Sequence, residues 1–169
     1  MMQATARQWE ASRRILATVL AIDPGPVQSA WLFFEEGRPD VFGIWPNEQI
    51  ADEFLRGSGG DDTVVVIEHV ESYGMAVGRE VFDTVRWTGR FEEAAGPSPV
   101  VLMPRRTVKL HLCGSSRAKD ANVRQALLDR FGGNTVAVGR KAAPGPLYGV
   151  SKDVWSALAL AVTYADGVR

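Results

Sequence analysis

The sequence holds a single cysteine, Cys113, so an internal disulfide is excluded. A lone thiol suits a reducing cytoplasm, which is the expected location. With only two histidines, His69 and His111, there is no Cys/His cluster of the kind that binds zinc. No apolar run approaches the ~20 residues of a membrane span, so no membrane partner is expected. The stretch from Met1 to Arg14 is polar and lacks the apolar core of a signal peptide. Internal repeats and low-complexity tracts are absent too.

What is present is ordinary in bulk and uneven in distribution. A length of 169 residues fits one domain, with residues 1–14 as a flexible or helical extension. An apolar fraction of 46% and a charged fraction of 23% suit a soluble globular protein. The net charge of −1 conceals a split: residues 1–98 carry 8 Lys/Arg against 16 Asp/Glu, and residues 99–169 carry 11 against 4. Between Arg105 and Lys152 only Asp120 and Asp129 oppose the cations. A basic half beside an acidic half suits an anionic polymer held next to bound cations. The bland alternative is a solvated basic face.

The chain reads as a β-meander followed by alternating strands and helices. Strands are expected at Ile15–Ile22, Ser29–Phe34 and Val41–Trp45, with a sharp turn at Pro24-Gly25-Pro26 and a hairpin turn at Glu35–Arg38. Asn47 is expected to cap a short helix through Leu55, and 57–62 reads as a loop. Thr63–Val70 is nearly all β-branched, which marks a strand covered on both faces and parallel to a neighbour. A long helix follows over 76–95, with Val77, Val81, Val85 and Phe91 among its apolar positions. Then come a strand at Pro99–Met103 and helices at Arg105–Leu112 and Ala118–Phe131. A loop is expected over 134–149, and a final amphipathic helix capped by Ser151 runs to about Asp166. This order gives an α/β fold: a mixed five-stranded sheet with helices on both faces.

Three carboxylates stand where apolar elements end or begin. Asp23 closes the first strand, Glu68 closes Val64-Val65-Val66-Ile67, and Asp153 opens the last helix. Singly, Asp23 reads as a turn residue, Glu68 as a solvent-facing strand end and Asp153 as a helix-end stabiliser. Together they suggest one site. If the first and fourth strands are parallel neighbours, Asp23 and Glu68 emerge side by side at their carboxyl ends, where ligands gather in such sheets. Clustered carboxylates repel one another. Bound divalent cations relieve that repulsion, and oxygen-only ligands select magnesium or manganese. Two such ions ~4 Å apart can activate a water and stabilise the leaving oxygen of a phosphodiester.

At these residues the chain resembles the RuvC family of Holliday-junction resolvases, within the RNase H-like fold. The carrying stretches are Leu20-Ala21-Ile22-Asp23-Pro24-Gly25, Val66-Ile67-Glu68-His69-Val70 and Asp153-Val154-Trp155-Ser156-Ala157-Leu158-Ala159-Leu160-Ala161. Arg105-Arg106-Thr107-Val108-Lys109 with Ala118-Lys119-Asp120-Ala121-Asn122-Val123 resembles the family's basic region. Residues 72–78 with Trp87-Thr88-Gly89-Arg90-Phe91 resemble phage-borne members. The resemblance spans roughly 15–166. It implies a crossover junction endodeoxyribonuclease of DNA recombination and repair, cutting branched DNA by paired nicks. Asp23, Glu68 and Asp153 would be catalytic and hold two Mg2+ ions, with Mn2+ able to substitute. It also implies a homodimer built largely on the long helix after Glu68. The chain departs from the family at Ser156, where a second acidic residue usually stands one turn after the position of Asp153.

Position and basicity single out Arg105, Arg106, Lys109, Arg117, Lys119 and Lys152 as candidate phosphate contacts. Tyr73, in a Gly-rich turn past Glu68, is a candidate for stacking on an unpaired base, or for packing. His69 points away from the site along its strand. His111, Cys113, Trp31, Trp45, Trp87 and Trp155 read as structural. Two further functions compete: an RNase H-like nuclease acting on another nucleic acid such as RNA–DNA hybrid, and a catalytically weak junction-binding protein, which Ser156 favours. An actin-like kinase needs two such domains and more phosphate loops than this length allows, so no nucleotide cofactor is expected.

Overall fold

The computed structural model describes residues 18–56, 63–72, 74 and 76–168. The extension expected at 1–14, the start of the first strand, the loop at 57–62 and Tyr73 lie outside the described residues.

Five strands form one mixed sheet in the order β3-β2-β1-β4-β5. β1 (Thr18–Asp23), β2 (Gln28–Glu35) and β3 (Arg38–Pro46) make the expected antiparallel meander. Glu36 and Gly37, at φ +50° and +78°, turn the β2–β3 hairpin. Two successive left-handed residues give a turn whose twist matches that of the flanking strands. β4 (Thr63–His69) joins β1 in parallel, and β5 (Val100–Pro104) joins β4 in parallel.

The helices are α1 (Asn47–Ile50), α2 (Arg79–Ala94), α3 (Arg105–Cys113), α4 (Asp120–Arg130), α5 (Asn134–Val138) and α6 (Val154–Ala165). A π-helical turn, Ala51–Leu55, continues α1. Side chains alternate across a strand, so β1 feeds two cores. Val19 and Ala21 pack with Val108, Leu127, Ala137 and Leu158 from α3 to α6. Leu20 and Ile22 pack on the opposite face with Ile50, Leu55 and Phe91 from α1, its π-turn and α2.

Several local expectations are corrected. Asn47 does not cap α1, because Pro46 holds the cap position. Asn47 is instead buried, accepting from Ser29 Oγ at 2.6 Å and donating from Nδ2 to the Gly25 carbonyl at 2.9 Å. The Gly25 N–H donates to the same Ser29 Oγ at 3.1 Å. A Cβ at position 25 would lie 2.4 Å from the Gln28 carbonyl oxygen, so the turn needs glycine. Ser29 and Asn47 thus fasten the turn that follows Asp23. The 134–149 loop contains α5 and a two-stranded ribbon of β6 (Gly139–Arg140) and β7 (Ala143–Pro144). This segment seats Leu147, and Val150 just beyond it, in the same core cluster as α6.

The long helix begins at Arg79 rather than 76, with Gly78 at its cap. Its apolar stripe is not core. Phe91 is buried, but Val77, Phe82 and Val85 are exposed. The last helix is likewise not amphipathic. Eight of its twelve residues are buried, as befits an interior helix. Its cap position is Asp153, not Ser151. The Ser151 carbonyl instead accepts from the Val154 N–H at 3.1 Å.

Candidate active site

Strand register brings the first two carboxylates together. Ile22 of β1 lies opposite Ile67 of β4, so Asp23 and Glu68 leave adjacent parallel strands at the same end. Glu68 lies opposite Met103 of β5, and β5 ends at Pro104. The next residue, Arg105, starts α3 beside Glu68. From the helical side, Asp153 caps α6 and Ser156 stands one turn further on. Both act on the Asp23 carboxyl: Ser156 favours its charged form and the charge of Asp153 disfavours it.

The electrostatics follow from this packing. Burial, then the nearby charge of Glu68, push Asp23 up from 3.8 to about 8. Arg105 opposes that rise, Asp153 adds to it and Ser156 opposes it. Burial also raises Glu68 above its ordinary value, against the pull of Arg105. Arg105 Nη1 donates to both Glu68 oxygens, at 3.1 and 3.2 Å. Its Nη2 lies 3.0 Å from Asp120 Oδ1. Burial works against the Arg105 charge, but Glu68 and Asp120 outweigh it and hold its pKa above the usual range. Hydrogen bonding from Arg105 foremost, despite some burial, lowers Asp120.

The donor set has the chemistry of a hard-cation site. Two half-buried carboxylates and a third nearby are all oxygen, and their mutual repulsion leaves an unmet demand for positive charge. The set does not form a closed cage. Among the described residues no group of three or more His, Cys, Asp or Glu is arranged to hold a metal ion. Asp153 is exposed, and Arg105 occupies Glu68. The residues therefore fit a cation at Asp23 and Glu68, with Asp153 the remaining carboxylate able to join.

A cleft runs from Glu68 past Ser156 to Trp155, with Lys109, Asp120 and Arg124 along it. Trp155 is thus only partly a core residue: it packs against the core beside Val154 and also lines this cleft. The Arg124 guanidinium sits 4.9 Å from its ring centre. The basic candidates divide by their partners. Arg106 Nε lies 2.9 Å from Glu71, and Lys109 Nζ lies 3.4 Å from Asp120. Arg117, Lys119 and Lys152 are exposed. Lys152 is held at φ +48°, a left-handed conformation unusual for a side-chain-bearing residue, directly before Asp153. His69 is exposed. His111 and Arg130 both bind Asp166, at 2.7 Å and at 2.6 and 2.8 Å, joining α3, α4 and the end of α6.

Sequence reasoning missed Asp120 as a site residue and read Arg105 only as a phosphate contact. The signal was there: Asp120 is one of two acids in a stretch of ten cations from Arg105 to Lys152.

Solved structures similar to this chain include Thermus thermophilus RuvC, 22% identical, with a TM-score of 0.61 over 88% of this chain and 93% of that one. Another is T. thermophilus RuvC in complex with Holliday junction substrate, 20% identical, with a TM-score of 0.57 over 88% of this chain and 92% of that one. No protein-family model matches the sequence, and no curated protein matches it significantly. The chain has the fold of those structures, the RNase H-like α/β arrangement expected from its sequence.

Proposed function

We propose that the chain is a RuvC-like resolvase: a metal-dependent endonuclease that cuts Holliday junctions and other branched DNA by paired nicks. The observation that carries this reading is the meeting of Asp23 and Glu68 at the ends of parallel neighbouring strands, beside the N-terminus of α6. It does so in a fold shared with a protein solved on a Holliday junction. Asp23 and Glu68, joined by Asp153, would hold Mg2+, or Mn2+ in its place, as two ions per site. Bound there, the metal supplies Lewis-acid stabilisation and a nucleophilic water at neutral pH.

The chain's own residues do the rest. Ser156 favours the ionised, metal-binding form of the Asp23 carboxyl. Arg117, Lys119 and Lys152 offer exposed cations to the phosphates flanking the cut, and Arg106 and Lys109 extend that surface. Paired nicks on a symmetric junction need two sites facing it. The exposed Phe82 and Val85 on α2 support a homodimer on that helix. The setting we propose is the cytoplasm of a bacterial host, for a phage-borne protein clearing recombination and replication branches before packaging.

The ion pair on Glu68 and the serine at position 156 favour one second reading, a junction-binding protein with weak cleavage. A single assay separates the readings: cleavage of a synthetic mobile four-way junction, with cut sites mapped, beside an RNA–DNA hybrid. Symmetric metal-dependent nicks that disappear in Asp23→Asn and Glu68→Gln, with binding kept, are expected. Binding without cutting identifies the second reading. Preferential cutting of the hybrid sinks the resolvase assignment.

A further inference from the structure

We propose that Arg105 is the resident counter-ion of the metal-free site, a clamp that leaves Glu68 when a divalent cation enters, with Asp120 as the seat that keeps it. This rests on the metal-site reading above and goes further, assigning a gating role to a residue that does not itself bind the metal. One guanidinium arm, Nη1, meets both oxygens of Glu68 at 3.1 and 3.2 Å, while the other, Nη2, meets Asp120 Oδ1 at 3.0 Å. The Glu68 side chain is only 14% exposed, whereas that of Asp120 is 71% exposed. The clamp is therefore anchored on an inner and an outer carboxylate at once.

The two holds are not equivalent. Glu68 is the oxygen pair that a hard cation also needs, and a guanidinium arm shared between both oxygens competes with such a cation for the same face of the carboxylate and repels it by its charge. Asp120 lies at the first turn of α4, outside the carboxylate cluster, with Lys109 Nζ at 3.4 Å as its own counter-ion. The Arg105 backbone is fixed where β5 ends and α3 begins. Release from Glu68 therefore needs only side-chain rotation, with the Asp120 contact retained as a tether. A charge-assisted bond to a buried partner of this kind lowers apparent metal affinity by about ten- to hundred-fold, since the metal-competent state is populated only by that fraction.

The test measures metal binding rather than cleavage, in DNA-free full-length protein, by electron paramagnetic resonance of free Mn2+ during titration. The proteins are wild type, Arg105→Lys, Arg105→Gln, Lys109→Gln and Asp23→Asn. Lysine keeps the charge but lacks the rigid planar fork. The clamp requires that both Arg105 variants bind Mn2+ at least several-fold more tightly than wild type, with Lys109→Gln changed less than two-fold. Arg105→Lys matching wild type while Lys109→Gln matches Arg105→Gln reduces the effect to loss of nearby positive charge and overturns the clamp alone. If no variant binds Mn2+, or Asp23→Asn binds as wild type does, the metal site and the clamp fall together. Arg105→Lys keeps the test decisive should Arg105→Gln fold poorly.

Discussion

Asp23→Asn should stabilise the metal-free protein, by an amount that grows with pH. The amide keeps the carboxyl's shape, but it never ionises. In the folded protein the Asp23 carboxyl titrates at about 8, against 3.8 as its ordinary value. Below pH 3.8 both folded and unfolded chains hold the proton, and the two proteins differ little. Between those values the unfolded chain is ionised while the folded one retains its proton. The wild type therefore loses stability as pH rises toward about 8, and then levels off. The slope is ~1.4 kcal/mol per pH unit and the full shift is worth at most ~6 kcal/mol, an upper bound because the carboxylate remains within reach of solvent. Because Asp23 and Glu68 repel each other, the difference between the two proteins reports Asp23 together with its coupling to Glu68. The assay is urea unfolding in a chelating buffer at pH 5, 6, 7, 8 and 9. The gap should widen by ~1 kcal/mol or more per unit up to pH 8 and then flatten. Added Mg2+ should restore the wild type and leave Asp23→Asn unmoved. A gap that is constant from pH 5 to 9, or that narrows, refutes the buried, crowded carboxyl.

Lys152→Gly should raise stability by ~1 kcal/mol, since glycine adopts φ +48° without steric cost, while weakening junction cleavage; thermal melts beside cleavage rates check both halves. Gly145→Ala should destabilise by ~2 kcal/mol or more in urea unfolding, because its Cβ would lie 2.2 Å from the Val136 carbonyl oxygen in the segment that seats Leu147. Ser156→Asp should shift the Mg2+ midpoint of cleavage to lower concentration, and Ser156→Ala should cost far less activity than Asp153→Asn. An unmoved midpoint in Ser156→Asp would mean that the position does not serve the metals. Removing Arg117 or Lys119 should flatten the slope of log K against log salt by ~1 each in junction-binding titrations. Removing Arg106 should flatten it less, because Glu71 already holds that guanidinium at 2.9 Å.

The sheet was legible because its signals are local. Thr63–His69 is a continuous β-branched and apolar run, and only a covered strand tolerates that. The Glu36-Gly37 turn and the Asp23-Pro24-Gly25 stop announce themselves through backbone chemistry. What failed was decided at a distance. Asn47 has every qualification of a helix cap, yet Ser29 and Gly25, 18 and 22 residues away, claim its side chain. Val81 and Val85 stand four apart as a helical stripe would, yet Val85 is exposed and the buried positions are Thr88, Phe91 and Ala94, so periodicity alone misassigned the buried face of α2. The site shows the same division. Asp23 and Glu68 could be read as strand ends, whereas the Arg105–Glu68 pair joins residues 37 apart and leaves no mark on either local sequence.

The burial of α6 sets a schedule for the ribosome. That helix supplies much of the core on one face of the sheet, from Val154 to Val162, and Asp153 opens it. A growing chain can pair β1 with β4 long before then, bringing Asp23 beside Glu68 on a sheet with one bare face. It cannot complete that face, or the acidic site, until synthesis has passed residue 165 and α6 has cleared the exit tunnel. The acidic site is therefore among the last features of this fold to be assembled, because the helix that carries Asp153 and Ser156 comes after every strand of the sheet.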